Sequence, residues 1–394
     1  MRKIFLWLGM LWCVQLISGC GWLIRAIEGT ETLEDKPVTG LHLSTADSSS
    51  QVCAGLPIQL KVTADIQAKE PMTTWSYDSQ GKAVKKGHLV FEDFSFSSNF
   101  GQVAPKEGML IVPNTGLELL GQQVKLEVTS QHAAGHTGEL SLGLHFGCGV
   151  VLNYNGAVGE PGAQGMAGQS GRDGKSEQSS GSYARPGGHG EDGLRGGDGG
   201  RGGPAGHGHN LTVDVAKIMS PEKTELVLVR VTDHSQANLT RTVLIDPAKG
   251  GRVVIKANGG PGGQGGSGGF GGRGGRGGTG SPAGDGGNGS DGGNGGDGGD
   301  GGNGSRVSLR YDSNHPDLTG LVEVQNRAGV AGGSGSGGGS GSGGTTYSGG
   351  RQGRSGRVGT SGHAGRPGSD GPVCEPQAVP LEQIFPDLGG LKFI

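Results

Sequence analysis

The chain has 394 residues, among them 89 glycines, 18 prolines and 5 cysteines, and carries a net charge of −3. That near balance excludes an electrostatic case for nucleic acid or an anionic membrane surface as partner. With so few prolines to stiffen the glycine-rich tracts, a three-chain collagen rope is excluded as well, because a second glycine per turn raises the entropy of the unfolded chain.

Met1, Arg2 and Lys3 form a charged start and Ile4 to Ile17 an apolar stretch too short to span a bilayer, which predicts a secretion signal over 1–19. The following Ile17-Ser18-Gly19-Cys20 resembles the lipobox of bacterial lipoproteins. The resemblance implies that Cys20 is acylated and becomes the mature N-terminus. Gly21, standing where an aspartate would retain the protein at the inner membrane, implies the outer membrane or cell surface. A tether over 20–39 is expected next.

From 40 to 154 short runs alternate apolar and polar residues with period two, as in Ile58, Leu60, Val62 and Ala64, or Leu140, Leu142, Leu144 and Phe146. Such runs are half-buried strands. They are expected over 51–66, 73–77, 89–96, 109–113, 124–130, 139–146 and 150–154, and about seven of them in a hundred residues predict a β-sandwich. Cys53, Trp75 and Cys148 in that order resemble an immunoglobulin-like domain. An exported chain sits in an oxidising compartment, so Cys53 and Cys148, which bracket this segment, are expected to pair and Cys374 to remain the odd one.

Composition changes abruptly after Tyr154. The stretch 155–374 carries glycine at every third position in three tracts, with glycine-free strands inserted at 211–258 and 306–326 and a tail over 375–394. Between Gly259 and Gly304 two of every three residues are glycine, and the third column reads Asp285, Asn288, Asp291, Asn294, Asp297, Asp300, Asn303 in its second half. A three-residue period fits the polyproline II helix, which makes no internal hydrogen bonds and must therefore bond to neighbours. The expected fold is mainly β with irregular structure: the sandwich, then a bundle of polyproline II (polyglycine II) helices built within one chain and capped by a small sheet. Ser281-Pro282-Ala283 and Thr345 to Ser348 are read as reversals. Folding at the first would bring Arg273 towards Asp291 and Arg276 towards Asn288.

The layout of lipobox, strand and Gly-Gly-x block resembles bacterial collagen-like, glycine-rich lipoproteins. Its repeat is also similar to the polyglycine II bundles of the snow-flea antifreeze protein and of certain phage tail-fibre adhesin tips, both binding proteins. These resemblances imply a lipid-anchored envelope protein with a structural or adhesive role, no enzyme, held by its lipid and offering a surface to a glycan or protein ligand. The alternative is a ligand-binding module for polysaccharide, Ca²⁺ or ice; a ladder of Asp and Asn instead of Thr argues against ice.

Catalytic patterns are absent: the repeated Gly-x-Gly-x-x-Gly lacks the strand before and helix after that a dinucleotide site needs, so no cofactor is expected. Asp285, Asp291, Asp297 and Asp300 offer oxygen to Ca²⁺. They stand about 9 Å or more apart along one helix edge, so a solvated or Arg-paired face is the preferred reading. The pairs His207/His209 and His132/His136 lack the spacing of a zinc site. Met166 and Phe270, large residues inside glycine tracts, are expected to pack against the sheet or the first domain, the alternative being an exposed ligand-binding ridge.

Overall fold

The computed structural model describes residues 29–78, 80–178 and 184–387. The expected secretion signal, Cys20 and the first part of the expected tether, up to residue 28, lie outside these residues. The protein is mainly β, with several sheets. One sheet of the N-terminal body holds β1 (Val38–Thr45), β3 (Pro57–Ile66), β4 (Met72–Thr73), β8 (Gln102–Ala104) and β9 (Met109–Ile111). The facing sheet holds β2 (Gln51–Cys53), β7 (Ser95–Ser98), β10 (Gln123–Thr129) and β11 (Thr137–His145), and β5 (Ser76–Tyr77) pairs with β6 (Ala83–Val84) alongside. The alternation read from the sequence fills the core between them: Leu60, Val62, Ala64 and Ile66 of β3 face Val124, Leu126 and Val128 of β10 and Leu142 of β11. Leu33, expected in the tether, is fully buried in the same core, its N–H donating to Asp93 at 2.8 Å. Cys53 and Cys148 are joined in a disulfide as expected, and Cys374 is free.

The strand at Val150–Asn153 (β12) does not belong to that body. It pairs in parallel with β16 (Val253–Lys256), and β16 pairs in parallel with β18 (Val322–Gln325). A second sheet runs in the order β15 (Leu239–Ile245), β14 (Glu225–Asp233), β13 (Leu211–Met219), β17 (Val307–Asp312), β19 (Gln377–Val379). The inserted strands therefore make two sheets where one was expected. Val213, Val215, Val227, Val229 and Val231 face β12, β16 and β18 through one core. Ala216, Ile218, Leu226 and Leu228, on the other face of the same strands, extend the N-terminal core. Burial on both faces explains why Leu226 to Val231 reads as a nearly continuous apolar run. The tail docks: β19 adds to β17, and the short helix α1 (Leu381–Ile384) buries Ile384 and Phe385. Beneath it the buried Asp214 binds both Arg230 and Arg310, the latter at 2.7 Å.

β12, β16, β18, β13, β17 and β19 each adjoin a glycine-rich run without helix or strand hydrogen bonding of its own. Run 1 (156–177), run 3 (257–279) and run 5 (326–346) leave from β12, β16 and β18; run 2 (187–209), run 4 (282–305) and run 6 (350–372) lead back into β13, β17 and β19. Backbone N–H groups bond across runs at every third residue, at 2.7 to 3.1 Å. Within a layer the runs are parallel: run 1 donates to run 3 and run 3 to run 5, as in Gly168 to Phe270 and Gly271 to Gly339, while run 2 donates to run 4 and run 4 to run 6. Between layers they are antiparallel, as in Gly197 to Met166, Gly269 to Gly197 and Gly293 to Gly269. Sheets that carry side chains pack about 10 Å apart; where the facing residues become glycine, the two layers close until their backbones bond directly.

The number of glycine columns follows the number of neighbours. Runs 3 and 4 each bond to four other runs and carry two glycine columns; runs 1 and 6 bond to two and carry one. The extra side chains of the outer runs cover the open edges: the Cβ atoms of Ala163 and Glu160 lie within 3.6 Å of where Gly200 and Gly203 would carry theirs, and Asp370 accepts the N–H of Ala328 at 2.7 Å.

Candidate functional site

The third column of each run points outward, so the array has two broad faces. On the face of runs 2, 4 and 6, register places His189, Asp285 and Arg351 in one row, Arg195, Asp291 and Arg357 in another, and Arg201, Asp297 and His363 in a third. The Asp and Asn side chains do a backbone's work here. In this column the N–H has no carbonyl within reach, and the side chain of the preceding run accepts it instead. Asp285, Asn288, Asp291, Asn294, Asp297, Asp300 and Asn303 accept the N–H groups of Arg351, Arg354, Arg357, Thr360, His363, Arg366 and Ser369 at 2.6 to 3.0 Å. Asp192 and Asp198 of run 2 do the same for Asn288 and Asn294.

Arg273 and Arg276 do not meet this ladder. Their run lies in the other layer and its variable column faces away, so the arginines beside the ladder are those of run 6. Nor do Asp285, Asp291, Asp297 and Asp300 converge: each has an oxygen committed to run 6, and none belongs to a set of three ligands among the described residues. The histidines are held singly. His207 accepts the N–H of Asn303 through Nδ1, and His209 bonds to the buried Asp233 at 2.7 Å.

Hydrogen bonds from His363, backbone first and ring second, hold the Asp297 carboxyl below its ordinary value. A depressed folded-state pKa stabilises above the unfolded value and is lost as pH falls through the folded one. We therefore expect thermal stability to fall below about pH 4. In Asp297→Asn, whose amide oxygen still accepts but does not titrate, that acid decline should be shallower; melting curves between pH 3 and 7 check it, and an unchanged slope would remove Asp297 from the account.

The opposite face, of runs 1, 3 and 5, is different in kind. Pro261, Gln264, Ser267 and Phe270 form its central column, with Val330, Ser336 and Gly339 beside them, and Arg273 and Arg276 follow only towards the far turns. Phe270 does not pack on a sheet: it is 68% exposed, its ring lying over Gly339, where a Cβ would come within 2.8 Å. Met166 is 82% exposed at the outer edge of run 1. Both were expected to be packed; they stand too far along the runs to reach either core. Tyr347, at the turn between runs 5 and 6, stacks against the Arg276 guanidinium at 4.4 Å.

Among the described residues one set of three potential ligand side chains does converge, and sequence reading missed it. Cys53, His145 and Cys148 place their Sγ and imidazole nitrogen atoms within 4.8 Å of one another. The signal available was the spacing His145-Phe146-Gly147-Cys148. Also among the described residues, no helix is long and apolar enough to cross a membrane. The chain matches no protein-family model, and no curated protein or solved structure is similar to it.

Proposed function

We propose that the chain is a non-catalytic bacterial envelope lipoprotein, anchored through Cys20 in the outer membrane or at the cell surface, in which a rigid glycine-rich rod serves a structural or adhesive role. In this reading the N-terminal body is an immunoglobulin-like β-sandwich. The six runs are a polyproline II bundle of the polyglycine II kind, complete within one chain. The observation that carries it is the unbroken hydrogen-bonded register between runs, up to eight bonds per pair of runs. At ~3.1 Å per residue, runs of this length reach roughly 65 Å from the sheets. A backbone tied at every third residue on several sides has little freedom to bend, which suits a spacer that holds a face away from the membrane.

A ligand-binding role is supported by one feature, the exposed Phe270, which follows Gln264 and Ser267 and precedes Arg273 in the central column of this face. An exposed aromatic plane with the Ser267 hydroxyl one repeat away suits stacking on a glycan ring, which glycan-array binding of wild type against Phe270→Ala would reveal. The anchor is tested directly: Cys20→Ala should move the protein from the membrane to the soluble fraction of fractionated cells, and unchanged membrane retention would overturn it.

A further inference from the structure

We propose that the reduced form of this chain is a binding site for a thiophilic divalent cation of the zinc type, held by Cys53, His145 and Cys148. Two strands bring the ligands together. β2 and β11 are parallel neighbours in which Cys53 stands opposite His145, and Ala54 donates its N–H to the His145 carbonyl at 3.1 Å. Cys148 follows His145 by three residues, and the Cα atoms of the two cysteines are 6.2 Å apart. A tetrahedral zinc with Zn–S near 2.3 Å and Zn–N near 2.0 Å needs its donor atoms roughly 3.5 to 3.8 Å apart. Three ligand atoms already within 4.8 Å of one another meet that requirement with a small movement of the two sulfurs.

The second observation is independent of the cysteines. His145 Nδ1 is buried and has no hydrogen-bond partner. A buried polar atom without a partner is uncommon in a folded protein and calls for an explanation. His145 lines an open cavity together with Leu120, Gln122, Leu144, Asp246 and Lys249. Water from that cavity supplies the fourth ligand position.

The chemistry balances as follows. A dithiol reductant transfers two electrons and two protons to the Cys53–Cys148 bond, becoming a disulfide itself and leaving two thiols. The cation then displaces one proton from each thiol, forming two metal–sulfur bonds and one bond to the imidazole nitrogen, with two protons released to solvent. Because the same two sulfurs serve the disulfide and the ion, the two states exclude each other, and the site binds only in the reduced chain.

The test uses the full chain, reduced and then freed of excess reductant without air, with Co²⁺ as a coloured substitute for zinc. The reduced wild type should take up Co²⁺ with thiolate-to-metal charge-transfer bands in the near ultraviolet and tetrahedral bands in the visible, and the oxidised wild type should show neither. Cys374→Ser should leave the spectrum unchanged, and Cys148→Ser should abolish it. The decisive variant is His145→Ala, which keeps the disulfide and whose fold is checked in the oxidised state by circular dichroism. Its affinity for Co²⁺, and for zinc in competition, should fall at least tenfold. A reduced wild type without these bands overturns the proposal, and so does a His145→Ala protein that binds Co²⁺ as tightly as wild type.

Discussion

Alanine at Gly269 together with alanine at Gly296 is expected to lower the melting temperature by several degrees or more. A Cβ at Gly269 would lie 1.9 Å from the carbonyl oxygen of Met166, and one at Gly296 would lie 2.0 Å from that of Gly200. Both obstacles are backbone, held in place by the bonds of their own runs, so neither can swing aside as a side chain would. Overpacking of this kind costs about 1–3 kcal/mol per site, and in a protein of this size each kcal/mol moves the midpoint by roughly 1–2 °C. Gly333→Ala provides the control with the same chemistry. Nothing lies within 4 Å of the Cβ it adds, so it should be neutral, or slightly stabilising through the lower entropy of the unfolded chain. Equal midpoints for the double variant, Gly333→Ala and wild type would end the account of the runs as a close-packed array. Sedimentation of the same proteins separates it from a three-chain rope, which would be trimeric.

Removing the disulfide should have the next largest effect. Cys53 and Cys148 close a loop with a sequence separation of 95 residues. In the chain-entropy account a loop of that length restricts the unfolded state by about 4–5 kcal/mol. Cys53→Ser combined with Cys148→Ser should therefore shift the urea midpoint clearly downward, with a somewhat steeper transition because the freed unfolded chain exposes more surface. A midpoint equal to that of the wild type would mean that the unfolded chain is already constrained by other means. The pair also marks a junction. Cys148 precedes β12 by two residues, so the bond ties the N-terminal body to the strand that opens the glycine-rich part.

Not every position in the variable column is as free as the repeat alone implies. Gln264 is exposed, and its side chain makes no contact that the array depends on. Asn294, in the corresponding column of run 4, accepts both the N–H and the hydroxyl of Thr360, at 3.0 and 2.9 Å. The two residues look alike in the sequence, each the odd residue of a Gly-Gly-x unit. They differ because run 6 lies beside run 4 with a row of N–H groups that only a side chain can reach.

What the sequence determined by itself is whatever depends on short-range periodicity. Alternation with period two is enough to place Leu60, Val62 and Ala64 on one face of a strand, and glycine at every third residue is enough to require that the backbone find its partners in other runs. Cys53 and Cys148 were the only cysteines bracketing an ordinary core-forming segment, so their pairing was legible too. The tertiary structure decided everything that depends on which run lies beside which. Glycine has no side chain to encode a neighbour, so the repeat is equally compatible with several orders of runs. The order is set at the sheets, where the side chains of β12, β16 and β18 pack against those of β13 and β17 and fix the layer from which each run departs. That layering carried Val150–Asn153 out of the first body, turned Arg273 away from Asp291, gave the Asp and Asn ladder its backbone partners and left Phe270 in solvent. His145 reached the two cysteines for the same reason: strands far apart in the chain were brought into register by the burial of their neighbours.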